Sequence, residues 1–257
     1  MKHITSPDNP FYKELHKLSG SARQRSKAGR TLLDGAHLLA AYLASGTQPL
    51  HIIVTGAAQS DAEIQALLKK SGDVQVTQLD DALFAGLSEL KTVSGILALI
   101  AVPQVVIPAK NAGFCLLLEN IQDPGNLGSM LRSAAAAGCD AVFMSTACAD
   151  AWSPRVLRAA MGGHFVLNLQ ENADLPMVAR EFDGTIFAAS LSAADSLYAS
   201  RLKGNAAFAI GNEGAGLTKE LMDLCQPVTI PMPGKVESLN AAAAAAVCLF
   251  EAVRQRA

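Results

Sequence analysis

Aromatic residues are scarce in this 257-residue chain, at 5%, and tryptophan occurs once. Long apolar runs are missing as well. The two longest, residues 96–107, broken by Pro103 and Gln104, and residues 241–250, fall short of the about 18–20 residues a helix needs to cross a bilayer. The opening stretch Met1-Lys2-His3-Ile4-Thr5-Ser6-Pro7 has no apolar core of the kind a secretory signal carries, so a cytoplasmic location without a membrane partner is expected. Twenty glycines and 11 prolines are too few for a collagen-like or low-complexity chain, and 50% hydrophobic residues exclude bulk disorder. The five cysteines, Cys115, Cys139, Cys148, Cys225 and Cys248, are odd in number, widely spaced and contain no Cys-x-x-Cys pair. They read as reduced thiols acting as small hydrophobes. His3, His16, His37 and His51 lack metal-ligand spacing, so no metal is expected.

The length suits one large or two small domains. Charge divides the chain unevenly. Residues 1–30 hold seven basic side chains against two acidic ones, for +5, while the other 227 residues hold fourteen against twenty-one, for −7. A basic arm on an acidic body suits an anionic polymer, because clustered Lys and Arg neutralise phosphate. On charge alone a solvated helix face accounts for it equally.

From Asn9 to Gly46 the apolar spacing predicts helix, with Phe11, Leu15 and Leu18 on one face and Leu32, Leu33, Ala36, Leu39, Ala40 and Leu43 on a second. Strands are predicted at 51–54, 74–77 and 96–101, and helices near 62–70 and 81–87, which together describe a small α/β unit. A segment punctuated by Pro103 and Pro108 reads as the linker, with domains expected at 1–104 and 105–257. In the second half, continuously apolar runs at 114–118, 141–144, 185–189, 206–210 and 228–230 read as parallel strands buried on both faces. Helices are predicted between them at 127–137, 153–162, 176–181 and 217–224, with a last one at 239–254. Ligands of open α/β sheets lie beyond the carboxyl ends of the strands, so the loops after Leu118, Ala189, Ile210 and Ile230 are the candidate site.

Three of these loops carry polar or glycine-rich detail. Glu119 to Gly128 contains Pro124-Gly125 turn chemistry and Asn126, a good helix cap, with Arg132 on the second turn of the predicted helix. Gly211-Asn212-Glu213-Gly214-Ala215-Gly216-Leu217 lets backbone approach a ligand closely. Its order is G-x-x-G-x-G, not the dinucleotide fingerprint G-x-G-x-x-G, and no P-loop is present, which argues against an oxidoreductase or a P-loop nucleotidase. Ile230-Pro231-Met232-Pro233-Gly234 is rigid and leads through Ser238, Leu239 and Asn240 into six alanines, whose lack of bulk implies tight helix packing.

Together and in this order the three loops resemble the SpoU/TrmH family of the SPOUT methyltransferases. The matching pieces are Asn126-Leu127-Gly128 with Arg132, Gly211-Asn212-Glu213-Gly214 with Gly216-Leu217, and Ile230-Pro231-Met232 with Ser238-Leu239-Asn240. Ser6-Pro7-Asn9-Pro10 and Leu33-Asp34-Gly35-Ala36 resemble the L30e-like substrate-binding domain of the family, although Glu is more usual at Asp34. The resemblance implies an α/β fold with a C-terminal trefoil-knotted domain, a homodimer through it, and transfer of methyl from S-adenosyl-L-methionine to an RNA ribose 2′-hydroxyl, with rRNA favoured over tRNA. It implies Arg132, Asn126, Glu213 and Asn240 as catalytic and Gly211, Ile230, Leu239, Ser190, Met232 and Ser238 as cofactor contacts. Arg132 is either the base or the anchor of phosphate and alkoxide; a guanidinium stays protonated at neutral pH, so the first role requires surroundings that lower its pKa substantially. Arg23, Arg25, Lys27, Arg30, Arg155 and Arg158 are the expected RNA contacts. A tRNA methyltransferase and a non-catalytic RNA-binding protein of the same fold are the alternatives.

Overall fold

Asn9 opens the first helix by accepting from the backbone N–H groups of Phe11 and Tyr12, and Pro10 fits the first helical position because its missing N–H would have had no partner there. The computed structural model describes residues 1–90, 93–103 and 108–257. The boundary expected between 104 and 105 lies outside the described residues. In chain order come β1 (Lys2–Ile4), α1 (Pro10–Gly20), α2 (Ala22–Ala28), β2 (Arg30–Asp34), α3 (Ala36–Ala44), β3 (His51–Val54), α4 (Ala62–Lys70), β4 (Val76–Leu79), α5 (Asp81–Ala85) and β5 (Ile96–Ala101). They are followed by β6 (Phe114–Leu118), α6 (Pro124–Ala137), β7 (Ala141–Met144), α7 (Pro154–Ala160), β8 (Asn168–Gln170), α8 (Leu175–Glu181), β9 (Thr185–Ala189), β10 (Ala206–Ile210), α9 (Lys219–Met222), β11 (Gln226–Val228) and α10 (Ala241–Arg256). Among the described residues no helix is long and apolar enough to cross a membrane.

The chain forms two compact units. In the first, five strands run in the order β1-β4-β3-β5-β2, with β5 antiparallel to both neighbours. The helical stripe expected through Leu32 and Leu33 is strand β2 instead. Gly29, at φ 60, ends α2, and the next residues pair with β5, burying Leu32 and Leu33 on opposite faces of the sheet. Adjacent leucines fit a helix stripe and a doubly buried strand equally, and the sheet wins through pairing with the distant segment Leu97–Ala101. Residues 152–165, including α7, also belong to the first unit rather than to the half in which they were expected. Thr31 Oγ1 donates to the Trp152 carbonyl at 2.7 Å, and Tyr42 packs edge-on against Phe165 at 5.1 Å.

In the second unit six parallel strands run β11-β9-β10-β6-β7-β8. The four central strands coincide with the apolar runs read from the sequence, while β11 lies two residues earlier than expected, on an edge where the missing N–H of Pro227 is tolerated. The last helix packs along α6, with Ala242 and Ala245 buried. Cys115, Cys139 and Cys248 are buried and Cys148 and Cys225 half-buried. Burial pushes the Cys115, Cys225 and Cys248 thiols up to about 12, which keeps them protonated at neutral pH.

The far end of α10 is locked by a carboxylate. Glu251 accepts from Arg254 Nε and Nη2 and from Gln255 Nε2, each at 2.8 Å, and Gln255 also holds Leu202 and Ser200. The Arg254 and Gln255 hydrogen bonds hold this carboxyl down at about 2, against 4.5 for a free glutamate. A depressed folded-state value gives stability that is complete above about pH 4.5 and lost as pH falls toward 2. The denaturation midpoint is therefore expected to drop between pH 5 and pH 3, and Glu251→Gln to drop less over the same interval.

Candidate active site

Asp123, not Asn126, caps α6. Its carboxylate accepts from the Asn126 backbone N–H at 2.7 Å, with Pro124 at the first helical position, so the helix starts three residues earlier than expected and Arg132 falls in its third turn. This frees the Asn126 side chain. Asn126 Nδ2 donates to Glu213 Oε1 at 2.6 Å, and Asn240 Nδ2 donates to Asn126 Oδ1 at 2.9 Å. The Asn240 oxygen accepts from Ala242 N and Ala243 N, capping α10. One orientation of both amides satisfies every atom, because Glu213 can only accept and the α10 N–H groups can only donate. Three of the four residues read as catalytic thus form one hydrogen-bonded chain joining the loops after β6, β10 and β11.

The glycine loop is tied down at two further places. Asn212 Nδ2 donates to the Asn120 carbonyl at 3.0 Å, while its oxygen accepts from Gly214 N and Ala215 N. Glu119, buried at the end of β6, accepts from Thr218 N at 2.6 Å and Thr218 Oγ1 at 2.8 Å. Between these ties the loop folds back so tightly that a Cβ on Gly211 would run into the backbone of Gly216 and Leu217, and Gly216 itself has φ 69. Glu119, Asn212 and Thr218 carried no role in the sequence reading. A charged residue directly after the five apolar residues of β6 was the available signal.

Beside this loop, beyond the ends of β9, β10 and β11, lies a cavity of about 600 Å³. Ser190, Gly211, Ile230, Met232, Ser238 and Leu239, the six residues read as cofactor contacts, all line it, as do Glu213 and Asn240. Arg132 is not brought there. It lies on the exposed face of α6 with Gly125, Ser129 and Ala136, and has no ion pair or hydrogen bond among the described residues. No cluster of three His, Cys, Asp or Glu side chains suited to a metal occurs among the described residues.

Residues 113–250 match the model of the SpoU rRNA methylase family. The chain belongs to that family. Residues 9–98 match an MRM3-like substrate binding domain. A Synechocystis protein described as a tRNA/rRNA methyltransferase is 33% identical over 98% of this chain and 94% of its own. The 23S rRNA (guanosine(2553)-2′-O)-methyltransferase RlmP of Bacillus subtilis is 30% identical over 97% and 98%. Among solved structures, the SpoU methyltransferase AviRb from Streptomyces viridochromogenes, in complex with the cofactor AdoMet, superposes with a TM-score of 0.86 at 27% identity, covering 96% of this chain and 98% of that one. The α/β architecture is therefore that of SPOUT methyltransferases.

For this family member the tie at Glu119 has a measurable consequence. Glu119→Ala removes the carboxylate that accepts from the Thr218 N–H and hydroxyl, a loss of about 2 kcal/mol by the usual contribution of hydrogen bonds to a charged group. Chemical denaturation is expected to show it, together with weaker cofactor binding because the glycine loop loses its anchor.

The residues read as RNA contacts separate into two groups. Arg23 and Lys27 are exposed on α2. Arg30 pairs with Glu14 at 2.8 Å, and Arg155 and Arg158 share Glu89 at 3.1 and 3.8 Å. Arg25 is corrected: it is buried, donating to the carbonyls of Leu18 at 2.6 Å and Ser19 at 3.1 Å, so its charge closes the carboxyl end of α1 rather than facing a ligand.

Proposed function

We propose that this protein transfers a methyl group from S-adenosylmethionine to a ribose 2′-hydroxyl of ribosomal RNA. The observation that carries the reading is the hydrogen-bonded chain Asn240, Asn126 and Glu213, which draws three loops around one cavity. The cavity suits the cofactor. Its volume falls within the roughly 300–1,000 Å³ of small-molecule sites, and it offers apolar walls at Ile230, Met232 and Leu239, hydroxyls at Ser190 and Ser238, glycine backbone for a nucleoside, and, as the one charge lining it among the described residues, the Glu213 carboxylate, whose sign suits a sulfonium.

When bound, S-adenosylmethionine supplies an electrophilic methyl carbon for in-line displacement. Gly211, Ile230 and Leu239 hold the nucleoside, with Ser190, Met232 and Ser238 completing the pocket. Asn126 and Asn240 keep Glu213 and the glycine loop in place, so that the acceptor oxygen and methyl carbon meet in one orientation; positioning of this kind is worth up to about 7–11 kcal/mol in ideal cases. Arg132 either takes the 2′-hydroxyl proton or, staying charged, binds the substrate phosphate and stabilises the alkoxide that develops at the 2′-oxygen while the proton passes to solvent.

Arg132 stands on the outer face of α6, and Phe250 of α10 is 47% exposed. A second copy covering these two helices would bring Arg132 into a closed site, which supports a homodimer through the second unit. The reading also includes a trefoil knot in that unit, an L30e-like RNA-binding first unit, and a cytoplasmic location. Domains at 1–104 and 105–257 remain the proposed division, with 152–165 packed on the first.

The test is incubation with labelled S-adenosylmethionine and 23S rRNA from cells lacking the protein, followed by digestion to nucleosides. Label in a 2′-O-methylated nucleoside is the expected result. Label on a base, in tRNA alone, or in no RNA would overturn the reading.

A further inference from the structure

We propose that the cleft between α1, α2 and β2 is an RNA-backbone site in which Lys17 and Lys27 bind phosphate groups. The inference rests on the proposed action on RNA and adds a docking site to it. The cleft encloses about 470 Å³ and is lined by Lys13, Glu14, Lys17, Gln24, Lys27 and Arg30, over the buried Leu18. Two of its four cations are already compensated: Lys13 by Asp8 at 2.7 Å and Arg30 by Glu14 at 2.8 Å. Lys17 and Lys27 have no ion pair or hydrogen bond among the described residues, and they reach the cleft from different helices.

The cleft is held in shape before anything binds. Arg25 ties α2 to the end of α1 through the Leu18 and Ser19 carbonyls, and Ser21 caps α2 at the junction. A preformed site spends little on ordering itself. Two features favour RNA over a protein partner. No aromatic residue and no exposed large apolar side chain lines the cleft, so it lacks the anchors on which protein interfaces depend. The same lack of aromatics excludes stacking on bases, which leaves phosphate and ribose contacts that position an RNA without reading its sequence.

The test compares the full-length protein with Lys17→Ala/Lys27→Ala, binding an unmodified 23S rRNA transcript over a salt series. Loss of two phosphate contacts lowers the slope of log K against log salt by roughly 1.4 for single strands to 1.8 for duplex, and weakens binding at least about tenfold at 0.1 M salt. Melting temperature and S-adenosylmethionine affinity, read from the second unit, stay at wild-type values. An unchanged slope overturns the site. Polyglutamate that competes as well as RNA at equal charge also overturns it, because the cleft would then accept any acidic chain. Methyl transfer by the wild type with an unchanged slope in the variant rejects this site alone; absence of methyl transfer with the slope lost rejects the activity and leaves the cleft standing.

Discussion

Arg132→Ala is expected to lower methyl transfer at least about 10³-fold while leaving S-adenosylmethionine affinity within about twofold, since loss of a charged group aimed at the developing anion costs that much in other enzymes. The expectation follows from where the side chain stands. Arg132 is exposed, lies outside the cofactor cavity and supports nothing in the fold through an ion pair or hydrogen bond among the described residues. On the proposed reading its removal takes away a group that meets the substrate, and its exposed, unbonded position leaves stability and cofactor binding undisturbed. Arg132→Lys separates the two open roles further. A lysine keeps the charge but loses the planar fork that grips phosphate in two places, so activity should stay far below wild type. Steady-state kinetics beside calorimetric cofactor titration checks both variants. Weakened cofactor binding in proportion to the lost rate would place Arg132 in the cofactor site instead.

Gly211→Ala is expected to weaken S-adenosylmethionine binding about 100-fold or more. The added methyl would fall on the backbone of Gly216 and Leu217, and backbone cannot yield as a flexible side chain does. Relief requires the loop 211–217 to open, against the ties from Glu119 to Thr218 and from Asn212 to Asn120. Overpacking of this kind costs about 1–3 kcal/mol. In a chain of this size that lowers the melting temperature by several degrees, at roughly 2–4 °C per kcal/mol. Gly204→Ala is the control outside the cavity: its methyl meets nothing within 4 Å, and its backbone has no positive φ, so binding should change less than about twofold. Equal effects at both positions would mean that the close approach at Gly211 does not shape the cavity.

The central strands were legible because continuous apolar runs such as 114–118 and 206–210 are too short for a buried helix and suit a strand covered on both faces. β1 and β8 were not, being three-residue edge strands whose sequences, Lys-His-Ile and Asn-Leu-Gln, contain no such run. The glycine loop and Asn240 could be read because backbone closeness and helix capping leave local marks. The remaining features depend on partners distant in sequence. Arg25 reads as one more exposed cation of a basic arm until Leu18 and Ser19 present their carbonyls to it. Glu119 reads as a solvent-facing charge until Thr218, 99 residues later, is placed beside it. Residues 152–165 read as part of the second half until distant partners attach them to the first unit: the Thr31 bond to Trp152, the edge-on packing of Tyr42 and Phe165, and the pairing of Arg155 and Arg158 with Glu89. Local patterning specifies elements and caps, whereas the pairing of distant segments decides which charges end up inside.

The most direct measurement of the central claim is a map of 2′-O-methyl positions across all RNA of a deletion strain complemented with wild type or with Arg132→Ala. The account predicts that one ribosomal RNA position loses its methyl in the deletion strain, regains it with the wild type and stays bare with the variant. An identical map in all three strains, or restoration by Arg132→Ala, would contradict it.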